Sequence, residues 1–247
     1  MRRLLFLDAF RGFFIIVVIT THAISHVVFW NANLLSMDEI NANPWIAIPF
    51  LPLILFGTWA PVFALISGIA NTYSTANNVR QKRQSLSRLV SGMYINSIAL
   101  YLVSLVSMGI FHFGFKFNGV LRHSLLTGSL ETGHFALPDP QLLFYTDAIA
   151  LVALCNAILA TLFALLWRNG GIEQRTRNYT FLFFLAAAWF AISPMFSRLE
   201  PIFFHALDNG DYLKASLLRL VAGPAHRTFP NAGFALVGAI FGMALAD

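Results

Sequence analysis

Charge is scarce in this sequence: Asp, Glu, Lys and Arg make up 11% of its 247 residues, under half the share of a soluble domain. So few charges cannot clothe a water-facing surface, which excludes an ordinary soluble enzyme and points to an integral membrane protein. The basic excess, 16 Lys and Arg against 11 Asp and Glu, is no nucleic-acid footprint. Its arginines sit in short segments between apolar runs, where membrane topology places them. Cysteine occurs once, as Cys155 inside an apolar run. One thiol excludes an intramolecular disulfide and a cysteine metal cluster. No repeat, heptad, Gly-rich linker or low-complexity tract is present, so the chain reads as a single transmembrane domain over 1–247.

Hydrophobic residues are what is present, at 57%, with 15% aromatic. Apolar stretches long enough to cross a bilayer run from Arg2 to Trp30, Ile54 to Tyr73, Leu89 to Phe113, Gln141 to Trp167, Asn178 to Phe196 and Phe229 to Ala246. The first has too long an apolar run for a cleavable signal peptide and no small-x-small site after it, so it is expected to remain as helix one. The expected fold is all-α, a multi-pass transmembrane bundle of about six helices with the lipid bilayer as its first partner. Segments 1–7, 74–88 and 168–177 are short and rich in Arg and Lys, whereas the other connections are longer and mixed in sign. The positive-inside rule then puts the N-terminus in the cytoplasm and the protein in the inner, cytoplasmic membrane.

Helix one, RRLLFLDAFRGFFIIVVITTHAISHVVFW, carries polar residues where they are costly. At 100° and 1.5 Å per residue, His22 lies about 16 Å beyond Arg11 and about 20° off its azimuth. Asp8 and His26 both fall about 60° from the Arg11 line, on the side of His22. One face therefore carries Asp8, Arg11, His22 and His26. The plain alternative is a basic anchor below two histidines satisfied by neighbouring helices. Four aligned ionisable groups in one apolar helix favour function over that alternative.

The stretch LDAFRGFFIIVVITTH resembles the first helix of polytopic membrane acyltransferases, with Arg11 and His22 at the spacing of the acyltransferase-3 group. TWAPVFALISGIANTY, at 58–73, is similar to the second helix of the heparan-α-glucosaminide N-acetyltransferase-like branch, and FPNAGFALVGAIFGMAL to a late Gly-rich helix of that branch. The resemblance implies transfer of an acyl group, acetyl above all, from acyl-CoA to a glycan or other cell-envelope acceptor. Proteins of this kind have more than six helices, which implies that the chain is the front portion of a longer one. The heparan branch places a histidine in the loop after helix one. Residues 31–43 contain none, which leaves His22 and His26 as the nearest catalytic candidates and the branch open.

The chemistry agrees with those residue types. Acyl transfer to a hydroxyl or amine needs a base near neutral pH, and histidine has the closest unperturbed pKa. Acyl-CoA is polyanionic, so Arg11 at the inner mouth would hold it, with Asp8 one turn away orienting the guanidinium. His22 and His26 at i, i+4 lack an HExxH motif or convergent carboxylates, so no metal is expected. Asp147 is open between donor or substrate contact and structural pairing with helix one. His112, His123 and His134 read as solvated or interfacial, Trp59, Trp167 and Trp189 as interface or packing residues. Arg80, Lys82, Arg83 and Arg88 read as topology determinants able to attract CoA phosphates. The competing function is a transporter or channel with a proton or solute path along helix one.

Overall fold

The computed structural model describes residues 60–112, 115–117, 120–223 and 226–247, together with Phe6, Ala9, Gly12, Phe13, Ile16, Val17, Thr20 and Trp45. Contacts divide the chain into two compact units, Met1–Val62 and Phe63–Asp247. In the first, the described positions between Phe6 and Thr20 are helical, and the Thr20 hydroxyl donates to the Ile16 carbonyl at 2.9 Å. Asp8, Arg11, His22 and His26 lie outside the described residues, as does the segment from Ile54 to Trp59.

The second unit is almost entirely helical. Its long helices are α1 (Ala60–Arg80), α2 (Leu86–Phe111), α4 (Ala148–Leu166), α5 (Arg175–Ser197) and α8 (Thr228–Ala246). The last four are long and apolar enough to cross a membrane, the signature of a multi-pass helical membrane protein. Two of them open on side-chain caps: the Ser85 hydroxyl accepts from the Arg88 amide before α2, and the Asp147 carboxylate accepts from the Ala150 amide before α4.

Two boundaries and two connections depart from the sequence reading. The helix expected to end at Tyr73 continues to Arg80, because its polar tail buries Thr75, Ala76 and Asn78 and the Asn78 amide donates back to the Ser74 carbonyl at 2.8 Å. The fourth span begins at Ala148 rather than near Gln141, and residues Pro140–Phe144 form a separate 3-10 turn. The two connections expected as long polar loops are folded. One holds a short hairpin, β1 (Phe115–Phe117) against β2 (Val120–Arg122), with Phe115 opposite Arg122, followed by α3 (Leu125–Thr132) with a Ser124/Thr127 capping box. The other holds α6 (Glu200–Asp208) and α7 (Tyr212–Ala222), joined through Gly210 at φ 72° and packed on buried Phe203, Leu207 and Ala215.

The long helices alternate in direction, which gives the unit two ends. At one, Arg80, Arg175 and Tyr179 gather on Asp247. At the other, Asp147 meets Ser104 of α2, and α7 lies beside the segment leading into α4. Between the ends, α1 and α8 approach through glycine. A Cβ on Gly68 would overlap the Ala235 carbonyl oxygen, and one on Gly238 would overlap that of Leu65. On Gly242 it would fall 2.5 Å from the Ile69 carbonyl oxygen. Small residues four apart let membrane helices touch backbone to backbone. Gly238→Val is therefore expected to cost about 3 kcal/mol, the upper range for overpacking. Gly92→Ala, whose Cβ would meet nothing within 4 Å, is expected to be neutral or mildly stabilising. Paired thermal melts in detergent check both; equal melting temperatures for the two variants would refute the close approach.

Candidate site at the start of α4

Asp147 organises this end of the bundle. It is the N-cap of α4, so its carboxylate lies against the free amides and positive dipole end of the helix. Its Oδ1 accepts from the Ala150 amide and from the Ser104 hydroxyl of α2, each at 2.7 Å. The expected pairing with helix one falls outside the described residues; among those described, the charge of Asp147 favours the ionised form of Arg219 of α7, a residue the sequence reading passed over.

Arg219 is the most demanding side chain in the unit, since only 5% of it is exposed. A buried guanidinium must have its N–H groups satisfied. Nη1 donates to the Leu143 carbonyl at 2.5 Å and the Tyr101 hydroxyl at 3.0 Å, Nη2 to the Tyr145 carbonyl at 2.8 Å, and Nε to the Thr146 hydroxyl at 3.4 Å. Its carbon also stands 5.2 Å from the centre of the Tyr101 ring, within cation–π range. Burial pulls its pKa below the usual arginine value, and Tyr101 and Asp147 oppose that pull. It remains a fixed cation. Gly223 makes the fit possible: a Cβ there would lie 2.7 Å from the Arg219 carbonyl oxygen and 3.0 Å from Thr146 Oγ1.

Tyr145 lies beside this group, with its ring 5.3 Å from that of His112. Burial and then the charge of Asp147 push its phenol pKa up, so it is held as a hydrogen-bonding hydroxyl. The His226 amide donates to the Thr146 carbonyl at 3.2 Å and draws the start of α8 to the same place. His123 sits apart, with Nδ1 3.1 Å from Glu131, and His134 is exposed, as loop histidines are expected to be. Trp167 and Trp189 are packing residues, stacked on Phe163 at 4.1 Å and Phe229 at 4.2 Å. Among the described residues no group of three His, Cys, Asp or Glu could hold a metal ion.

A second polar group lies between the two ends. Asn156 of α4 accepts from the Asn71 amide at 3.0 Å and donates to the Ser97 hydroxyl at 3.0 Å and the Met93 carbonyl at 2.9 Å. Asn71 also donates to Ser67 at 3.1 Å. These bonds join α1, α2 and α4 in an otherwise apolar interior.

The basic end is tied by Asp247. Its Oδ1 lies 2.5 Å from Arg80 and 3.6 Å from Arg175, and its Oδ2 accepts from the Tyr179 hydroxyl at 2.7 Å. Burial would raise the carboxyl pKa, but the Tyr179 hydrogen bond and the two arginines hold it below the usual range. A depressed carboxylate stabilises the fold above its unfolded pKa of about 3.9 and loses that contribution as pH falls through the lower folded value. Asp247→Asn is expected to cost ~1.5–3 kcal/mol at pH 7, the range for hydrogen bonds to charged groups. The gap from wild type should close under acid conditions. Melting temperature against pH for both proteins checks this, and a gap independent of pH would exclude the carboxylate as its source.

Compared with known proteins, the chain matches no family model, no curated protein and no solved structure.

Arg219 was missed from sequence because 197–228 reads as one polar connection, and Tyr101 and Tyr145 because each sits inside an apolar run read only for its hydropathy. The available signal was Leu213, Leu217 and Leu220 at i, i+4 and i+7, with Arg219 off that face.

Proposed function

We propose that the protein is an integral membrane acyltransferase, moving an acyl group, acetyl above all, from acyl-CoA to a glycan or other cell-envelope acceptor. In this reading the N-terminus is cytoplasmic, Arg11 and Asp8 receive the donor, and His22, assisted by His26, is the base or the acyl carrier. The resemblance of helix one to the polytopic acyltransferases supplies the reaction. The observation that supports it from the fold is the separation of chemistry between the two ends. Arg80, Arg175 and Tyr179 converge at the end that would face a polyanionic cytoplasmic donor. The opposite end presents Tyr101, Asp147 and Arg219, groups suited to hydrogen-bonding a polar acceptor. Asp147 then serves the acceptor end as the positioning group for α4 and a counter-charge to Arg219, rather than touching the donor.

Purified protein in nanodiscs, given radiolabelled acetyl-CoA with and without a crude envelope-glycan fraction, should transfer label to protein or glycan. Arg11→Ala should weaken CoA binding, with Arg11→Lys restoring part of it if the contact is bidentate to phosphate. Absence of label together with unchanged CoA affinity in Arg11→Ala would overturn the reading.

The Asn71–Asn156–Ser97 group favours the second reading, a transporter, since polar side chains buried between two ionisable ends are what a solute path requires. Proton or solute flux in liposomes that is abolished by Asn156→Leu, without acyl transfer, would establish it.

A further inference from the structure

Alongside Arg219 runs a groove that the bundle itself does not fill. It occupies about 360 Å³ between α2 and α4, floored by the small residues Ser97, Ala153 and Ala157, walled by Ile98 and Leu154, and closed at one end by Tyr101 and Leu220. The surface is almost wholly apolar apart from the tyrosine hydroxyls. Both walls belong to helices long and apolar enough to span a membrane, so hydrocarbon rather than water is the medium beside it.

The helix that closes it is inside out for a water-soluble element. α7 buries Arg219, Ala215 and Ala222 and exposes Leu213 (76%), Leu217 (63%) and Leu220 (42%) on one face. At 11 residues it is about 16 Å long and cannot span. Leu220 of that face lines the groove, and the buried cation of α7 lies behind the lining Tyr101, whose hydroxyl it meets at 3.0 Å. The Tyr101 hydroxyl accepts there from Arg219, which leaves its own hydrogen for another oxygen. Asp147, the acidic group acting on Arg219, already spends Oδ1 on Ser104 and the α4 amide.

We infer that this groove is a lipid site: the hydrocarbon chain of a membrane amphiphile lies between α2 and α4, with its anionic phosphate head beside Tyr101 and Arg219. Shape and apolar lining select the chain, and the hydroxyl and fixed cation select the head. The site stands on its own observations and does not depend on acyl transfer. Its occupant is an anionic phospholipid of the surrounding bilayer, whose hydrocarbon is the medium beside both walls.

The full chain is reconstituted with phosphatidylglycerol bearing a diazirine in its acyl chain, irradiated, and mapped by mass spectrometry. Adducts on Ile98, Leu154 and Leu220 should exceed those on Leu165 and Phe241, two comparably lipid-exposed residues away from the groove, by roughly tenfold. Ala157→Phe, which fills the groove, should erase the excess. Leu154→Trp is the second filling variant if the first does not fold. Tyr101→Phe should lower labelling by the phospholipid but not by a diacylglycerol with the same chain. Even labelling of all lipid-exposed residues would overturn the site, and equal labelling by the two probes would overturn the head-group contact. Unlabelled phosphatidylglycerol should compete at lower concentration than an undecaprenyl-phosphate glycan; the reverse order would overturn bulk phospholipid as the occupant.

Discussion

Arg219→Met is expected to lower the melting temperature of the purified protein more than any other substitution at this end of the bundle. The methionine fills comparable space but leaves the Leu143 and Tyr145 carbonyls and the Tyr101 hydroxyl without their shared partner, and removes a cation whose field reaches Asp147. Removing one member of a buried charged group costs about 3–5 kcal/mol, most of it the desolvation of what is left behind. Arg219→Lys separates charge from geometry. An ammonium keeps the charge but cannot spread donors over two carbonyls and two hydroxyls, so it should recover only part of the loss. Combining Arg219→Met with Asp147→Asn separates the terms further. Recovery in the double variant assigns the cost to the unpaired carboxylate; no recovery assigns it to the carbonyls. A wild-type melting curve for Arg219→Met would refute the structural role of the guanidinium.

The other large effect belongs to activity. His22→Ala or His22→Gln is expected to reduce acyl transfer by roughly 10²–10⁴-fold, the range for a positioned acid–base group. CoA affinity should hold, because on a helix His22 is about 16 Å from Arg11. His26→Ala, a turn further on, should cost less. Transfer assays and CoA titrations on the three variants decide the matter. Wild-type transfer in His22→Ala, or loss that maps instead to His123 or His134, would remove the helix-one base. Arg219→Met adds a useful contrast: it should lose activity in proportion to folded protein, whereas His22→Ala should lose it in a protein that melts normally.

Hydropathy made the spanning helices legible, because a bilayer demands long runs that nothing else in a chain requires. The boundaries of α2, α5 and α8 fall within three residues of those read from sequence. What hydropathy concealed was structure in the connections. The segment 197–228 is polar on average, yet it folds as α6 and α7 because Asp211 caps the second helix and Phe203 and Leu207 find a buried cluster. Averaging over a connection erases a leucine face that alternates with one arginine. Asp147 was visible as an acidic residue at the edge of an apolar run. Its partner was not, since 72 positions separate it from Arg219 and no local pattern links them. The helix-one candidates lie outside the described residues, so their alignment rests on helical periodicity alone.

The glycine contact between α1 and α8 also governs when this bundle can close. Gly68 and Gly238 interlock, yet roughly 170 residues of synthesis separate them, on the order of 10 to 30 s at about 5–20 residues per second. During that interval α1 lacks the surface its glycine was shaped for. Its polar side chains, Asn71 among them, can meet α2 and α4 earlier. Contacts of α1 with α2 and α4 through amide and hydroxyl groups can therefore form before its close backbone contact with α8. The α1–α8 contact is thus one that only a chain translated past Gly238 can make, so every shorter nascent chain carries an α1 whose glycine face is still unmatched.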